Sequence, residues 1–368
     1  MQYRSRFISI ASRSIVIMAL FSVRNVSLRG VSAAVPTATE SNRDYTPLTE
    51  KEINLLIKTT GVEYRRRAPV ECCTSDYCFE AAKKLLSELR WQPSEVDLLI
   101  FVSQSRDYFL PSTAIVLQHR LALPDTALAF DIGLGCSGFV YGTSVITNMM
   151  ANSGIKKALL LCGDVSTTSV SFHDKSTYPL FGDAGTAAAF EFNEGAEPIH
   201  FNLQSDGKGY QSIIIPDGGC RNPLTPESEQ MIELEKGVTR RKKDLWLNGM
   251  DVFNFSVTKV PVNVNQLLEK YYTSLESLDF FVMHQANLLM NETIRKILGI
   301  DTSKVPYSLS NFGNTSSASI PLTMAVSIAN ELRASKRKLL LSGFGVGLSW
   351  GSIIIDTENL VIPDLIEI

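Results

Sequence analysis

The stretch "VDLLIFVSQS" at residues 96–105 resembles "LDFFVMHQAN" at 278–287, and "KKALLLCGDVS" at 156–166 resembles "KRKLLLSGFGV" at 336–346. The two pairs are separated by nearly the same length of chain, Val96 from Leu278 and Leu159 from Leu339. Apolar runs recurring in one register mark a duplication of whole halves, which limits the possible folds more than any single motif. Each half reads strand, helix, strand, helix, strand. The runs "LLIFV" and "KLLLSG" are apolar on both faces and alternate with helical stretches at 75–89 and 318–332, as in a parallel-rich sheet covered by helices. An α/β chain of two similar halves is expected, one over residues 20–195 and one over 196–368. The Pro-, Gly- and charge-rich stretch at 213–244 reads as a surface excursion early in the second half.

Composition adds mainly exclusions. A chain of 368 residues, 45% hydrophobic with a formal net charge of −3, can bury two cores and offers nothing for a nucleic-acid polyanion. The six cysteines form no C-x-x-C pair and the four histidines do not cluster with them, so neither zinc nor a disulfide framework is indicated, and a reducing, cytoplasmic setting is the simplest. No cofactor is expected. The N-terminus carries Arg4, Arg6 and Arg13 and an apolar run too short to span a bilayer. These are ingredients of a signal peptide, but the strand-like alternation directly after it leaves no room for cleavage. Residues 1–19 are therefore expected to be an extension, with Met18 as a natural start. The run from Arg240 to Lys243 reads as a solvated face.

The chemistry centres on "ALAFDIGLGCSGFVYGTSVI" at 127–146, where Gly133, Gly135 and Gly138 have the G-x-G-x-x-G spacing and Cys136 interrupts it. A strand turning tightly into a helix aims backbone N–H groups at whatever occupies the turn, a ligand phosphate or a thiolate. A dinucleotide site calls for an acidic residue about 20 residues on. The nearest candidate, Asp164, lies further from Gly138 than that spacing. The duplication favours the thiolate. It places Ser316, in "SNFGNTSSASIP", opposite Cys136, puts Asn314 on the equivalent turn, and leaves His284 at the C-terminal end of the strand "LDFFVM". All three are expected at one cleft between the halves, with a helix start lowering the Cys136 pKa.

With "GLGCSGF", "FGDAGTA" (181–187), "HQAN" (284–287), "NFGNTSSASIP" (311–321) and "GFGVGLSWGS" (343–352) in this order, the chain resembles the β-ketoacyl-acyl-carrier-protein synthase III family of thiolase-fold condensing enzymes over nearly all residues after about 20. The resemblance implies a duplicated αβαβα fold and acyl transfer to Cys136. A decarboxylative Claisen condensation with a malonyl thioester follows, aided by His284 and Asn314. It implies an oxyanion hole from the backbone N–H groups of Cys136 and Val346, the latter where the family usually has glycine. Acyl-coenzyme A or acyl-carrier-protein thioesters as substrates, a homodimer, and carrier-protein docking near Lys259, Arg295 and Lys296 come with it. No membrane or nucleic-acid partner is implied. "FGDAGTA" reads as structural, with Asp183 bracing a turn. One departure stands out: Leu55 and Thr59 occupy the places of a tryptophan and an arginine that hold the coenzyme A nucleotide, which points toward a carrier-bound or longer acyl starter. A thiolase-fold acyltransferase making an ester or amide is the alternative.

Overall fold

The computed structural model describes residues 19–368, so the signal-peptide question lies outside the described residues. Two large sheets carry the fold. One runs Ile366–Glu367, Val26–Val35, Ala184–Phe192, Lys157–Asp164, Leu98–Val102, Leu128–Ile132, in that spatial order. The other runs Ala19–Val23, Ile199–Ser205, Ser349–Thr357, Arg337–Gly345, Phe280–Met283. The repeat seen in the sequence is a repeat of strand pairing. Lys157–Asp164 pairs parallel with Leu98–Val102 and antiparallel with Ala184–Phe192. Arg337–Gly345 pairs parallel with Phe280–Met283 and antiparallel with Ser349–Thr357. Being covered on both faces, these strands have apolar centres and keep their charged residues to their ends.

The termini exchange partners. The first strand-like stretch is two strands, because Asn25 turns at φ 64°, a left-handed conformation that asparagine tolerates. Ala19–Val23 then pairs antiparallel with Ile199–Ser205 in the second sheet, while Val26–Val35 stays in the first and takes the C-terminal Ile366–Glu367 beside it.

Between the sheets lie Gly138–Ala151 and Ser319–Ser327, whose Val140, Ile146, Leu322 and Met324 share one core with Ile100 and Leu160 of the first sheet and Leu341 and Ile353 of the second. Both are apolar around most of their circumference, as a helix buried on all sides must be. Thr74–Leu89 and Thr113–Arg120 cover the outer face of the first sheet, and Gly249–Lys270 and Leu288–Leu298 that of the second. This is the αβαβα layering. The helix expected over 318–332 is interrupted: Ile328, at φ −137° and ψ 21°, turns its side chain into the central core, and a short helix resumes at Ala329–Ala334.

The excursion starts with Ile213–Ile214 pairing antiparallel with Trp246–Leu247, just past its end, and between them Ile232–Glu235 and Val238–Arg240 form a small hairpin. The solvated face expected from Arg240 to Lys243 holds for only part of the run. Arg240 is buried and paired with the fully buried Asp174 at 3.1 Å, because a buried carboxylate needs a counter-charge.

Candidate active site

The glycines of the Cys136 turn permit close packing. Gly138 N–H donates to Gly135 O at 2.6 Å, and a Cβ on Gly138 would lie 2.6 Å from Val102 Cγ1. A Cβ on Gly135 would collide with Gln104 Oε1. Side chains of the neighbouring strand end therefore fill the space a pyrophosphate would need. Opposite Cys136 runs the loop after Arg337–Gly345. Gly345 sits at φ 153°, and a Cβ there would be 2.7 Å from Cys136 Cβ and 2.9 Å from Sγ, so the loop can touch Cys136 as glycine only. The next residue, Val346, directs its backbone N–H at the Cys136 sulfur. Ser349 ties the two turns together, sharing a hydrogen bond with Ser137 at 2.7 Å and donating to Val346 O at 2.8 Å.

His284 continues the strand Phe280–Met283, donating its backbone N–H to Ser342 O at 2.8 Å. Its ring Nδ1 lies 2.7 Å from Ser319 Oγ, and Phe344 meets it edge-on with centroids 5.5 Å apart. The rest of "HQAN" supports it. Asn291 Nδ2 donates to His284 O, Gln285 Oε1 accepts from Ser308 N, and Asn287 caps the helix Leu288–Leu298 by accepting from Met290 N at 2.8 Å.

Asn314 is held from both sides of its backbone, donating to Leu180 O at 2.9 Å and accepting from Gly182 N at 3.1 Å. This explains "FGDAGTA". A Cβ on Gly182 would collide with Phe312 O, so glycine lets the segment lie against the Asn314 turn. Buried Asp183 anchors it by accepting from Ala68 N, Thr167 N and the Thr167 hydroxyl. The Asn314 Oδ1 accepts from Ser316 N at 2.9 Å, which turns its Nδ2 away from Ser316.

Cys136, His284, Asn314 and Val346 line one cleft, together with an apolar wall that includes Leu180, Phe181, Leu245, Leu247 and Met290. The excursion thus supplies part of the wall. Lys259, Arg295 and Lys296 lie outside the cleft lining. Lys259 and Lys296 are exposed, but Arg295 is spent internally, on both oxygens of Glu292 and on Ile300 O at 2.7 Å. Leu55 is 64% exposed on the helix Glu50–Thr60.

Sequence reasoning passed over Ser319, Phe344 and the true place of Asp164. That carboxylate is buried and accepts from Gln104 N, Ser103 Oγ, Ser317 N and Ser317 Oγ, tying the first sheet's loop to the Asn314 turn. The signal was its position in "LLLCGD", at the end of a duplicated strand.

Electrostatically the site differs from the sequence expectation at Cys136. Burial pushes the thiol up to about 11, and nearby Asp164 adds to this, against a downward pull from the Val346 N–H and the Ser316 hydroxyl. The helix begins only at Gly138, so Cys136 precedes the positive end of the dipole and desolvation wins. Burial also drives His284 down to about 3, with the Ser316 carbonyl pulling the other way, so the ring is neutral at physiological pH. Alkylation of Cys136 by iodoacetamide, followed by peptide mass spectrometry, should therefore climb about tenfold per pH unit between pH 7 and 9. A plateau near pH 7 would contradict so high a thiol pKa.

Among the described residues, no helix is long and apolar enough to cross a membrane and no group of side chains forms a metal cluster. Residues 130–207 match the family model for 3-oxoacyl-[acyl-carrier-protein (ACP)] synthase III, and residues 268–357 match the model for its C-terminal part. A β-ketoacyl-[acyl-carrier-protein] synthase III of Natranaerobius thermophilus is 31% identical over 90% of this chain and 99% of its own. One of Syntrophomonas wolfei is 31% identical over 90% and 97%. The crystal structure of a 3-oxoacyl-(acyl-carrier protein) synthase from Burkholderia xenovorans superposes with a TM-score of 0.90 at 36% identity, covering 95% of this chain and 99% of that one.

Proposed function

This chain belongs to the 3-oxoacyl-[acyl-carrier-protein] synthase III family, and from that premise we propose that it is a condensing acyltransferase of fatty-acid or related lipid biosynthesis. In the first step Cys136 takes an acyl group from a coenzyme A or acyl-carrier-protein thioester. In the second the acyl group condenses with a malonyl thioester that loses carbon dioxide. The observation that carries this is the convergence of Cys136, His284 and Asn314 on one cleft, with the Val346 N–H against the sulfur. The backbone donors of Cys136 and Val346 face the charge that develops when the acyl carbonyl is attacked. Asn314 and His284 face the enolate oxygen of the extender. Incubation with an acyl thioester and peptide mapping should put the mass increment on Cys136, and an increment on Cys72 or Cys220 alone would remove the assignment.

The remaining readings are proposals of the same kind. The chain works as two halves, 20–195 and 196–368, with the site between them, in the cytoplasm. An acyl carrier protein docks near Lys259 and Lys296, with Arg295 contributing through its helix more than its charge, since Glu292 holds the guanidinium. With Leu55 and Thr59 offering no aromatic platform, the starter is carrier-bound or a longer acyl chain. A homodimer covers the edge strand Leu128–Ile132, where Leu128 is 50% exposed, and the adjoining Phe109 and Leu110, 73% and 86% exposed. Light scattering at micromolar concentration should give twice the chain mass of 40.6 kDa; a monomer would refute the dimer.

A further inference from the structure

His284 Nδ1 lies 2.7 Å from Ser319 Oγ, and Ser319 Oγ lies 2.8 Å from Ser316 O. A hydroxyl has one hydrogen, and a carbonyl oxygen can only accept. If the Ser319 hydrogen went to Nδ1, its oxygen would face the Ser316 carbonyl oxygen at hydrogen-bond distance with no proton between them. If it goes to Ser316 O, the contact between Nδ1 and Ser319 Oγ needs its proton from the ring. The consistent arrangement is a chain in which Nδ1–H donates to Ser319 Oγ and Ser319 Oγ–H donates to the Ser316 carbonyl.

Ser319 is well placed to enforce this. It is buried at the start of the helix Ser319–Ser327, and its own carbonyl accepts from Thr323 Oγ1 at 2.7 Å. His284 is fixed by its backbone bond to Ser342 O and by Asn291 on its carbonyl. A neutral imidazole with its one proton on Nδ1 leaves Nε2 as a bare acceptor for the cleft that the residue lines. Among the described residues, the other titratable side chains lining the cleft are Cys136 and Asp164, and Asp164 is engaged by donors from Ser103, Gln104, Ser105 and Ser317.

We propose that Ser319 is a positioning residue that holds His284 in the Nδ1–H tautomer, so that Nε2 is the port through which each proton of the two-step reaction passes. The proposal rests on the condensation reading above and divides its labour. In the loading step the Cys136 Sγ–H proton moves to Nε2 as sulfur attacks the acyl thioester. The bond from acyl carbon to the donor sulfur breaks, and the proton passes from Nε2 to the departing thiolate. The condensation step consumes one proton from solvent. Nε2 takes it up with the malonyl thioester, whose carboxylate supplies a counter-charge in an apolar cleft. Nε2–H then donates to the enolate oxygen beside Asn314 as carbon dioxide leaves. The enolate carbon forms the new bond to the acyl carbon, the bond to Cys136 breaks, and the Cys136 thiolate takes the proton from Nε2. The opposite tautomer presents an N–H at rest and can accept neither proton.

The test is nitrogen NMR of the intact protein with 15N-labelled histidine. The chain has four histidines, His119, His173, His200 and His284, and a His284→Gln variant identifies the relevant signals. The wild type should show a protonated Nδ1 and an unprotonated Nε2 at His284. Ser319→Ala should move the ring toward the Nε2–H form and slow both half-reactions by on the order of 10²-fold, and Ser319→Thr, which keeps the hydroxyl, should restore the tautomer and most of the rate. A wild-type ring found as the Nε2–H form overturns the proposal even if no variant folds, and so does a folded Ser319→Ala protein with an unchanged tautomer. A wild type that shows Nδ1–H yet never decarboxylates a malonyl thioester overturns the condensation reading while supporting the tautomer assignment.

Discussion

Asn314→Ala is expected to keep self-acylation of Cys136 and to lose condensation by about 10²–10³-fold, the usual cost of one missing oxyanion donor. The two steps separate because their donors come from different elements. In the proposed mechanism acyl transfer onto Cys136 uses the backbone N–H groups of Cys136 and Val346, on the Cys136 turn and the loop after Arg337–Gly345, and enolate stabilisation uses the Asn314 carboxamide. Truncating it leaves the turn itself held, since the Asn314 backbone remains bonded to Leu180 and Gly182; what is lost is two side-chain contacts, Ser316 N to Asn314 Oδ1 at 2.9 Å and Asn314 Nδ2 to Ala286 O at 3.5 Å. Rapid-quench measurement of each half-reaction reads the split. Condensation unchanged in the variant, or a wild type that passes its acyl group only to alcohols or amines, would favour the ester- or amide-forming alternative.

The sequence carried most of what positions this site, for an identifiable reason. Duplicated strands buried on both faces are written as apolar runs, so His284 could be placed directly after one; Cys136 follows the half-exposed edge strand Leu128–Ile132 and Asn314 the short helix Leu309–Phe312, and their place at the same cleft came from the glycine spacing and the register of the repeat. What it did not carry is what depends on surroundings from distant segments. The Cys136 thiol was expected to be lowered by its helix, but the helix begins only at Gly138 and protein around the sulfur raises it instead. Arg240 looked like one of four solvated cations, yet Asp174, far earlier in the chain, draws it into the interior. Arg295 looked free to meet an acidic partner, but Glu292 one turn before it takes the charge. "FGDAGTA" showed only small residues and an acid. That it braces the Asn314 turn follows from the close approach of Phe312 O to Gly182, which no pattern reveals.

Gly345→Ala should fail at the other half of the reaction. At φ 153° an alanine is strained whatever space it has, and its Cβ would stand 2.7 Å from Cys136 Cβ and 2.9 Å from Sγ, closer than real Cβ atoms come. Either the Cys136 turn or the Val346 loop must give. The Cys136 turn is clamped on its far side, where Val102 and Gln104 leave no room behind Gly138 and Gly135. The loop is anchored at Leu348, which exchanges two backbone hydrogen bonds with Asp206, whereas Val346 is held at its carbonyl by one side-chain bond, from Ser349 Oγ. The loop should therefore move and take the Val346 N–H away from the sulfur, lowering the rate of Cys136 acylation by at least about 10²–10³-fold. His284 and Asn314 stand on the strand end at Met283 and the turn braced by Gly182, so carbon dioxide release from a malonyl thioester should persist. Intact-protein mass spectrometry reads the loading rate, carbon dioxide release reads the second function, and a thermal melt shows that the variant is folded. A folded Gly345→Ala protein that loads at the wild-type rate would remove Val346 from the oxyanion hole. Retained decarboxylation here and retained loading in Asn314→Ala would show that two donor pairs, on separate elements, serve two separate charges in one cleft.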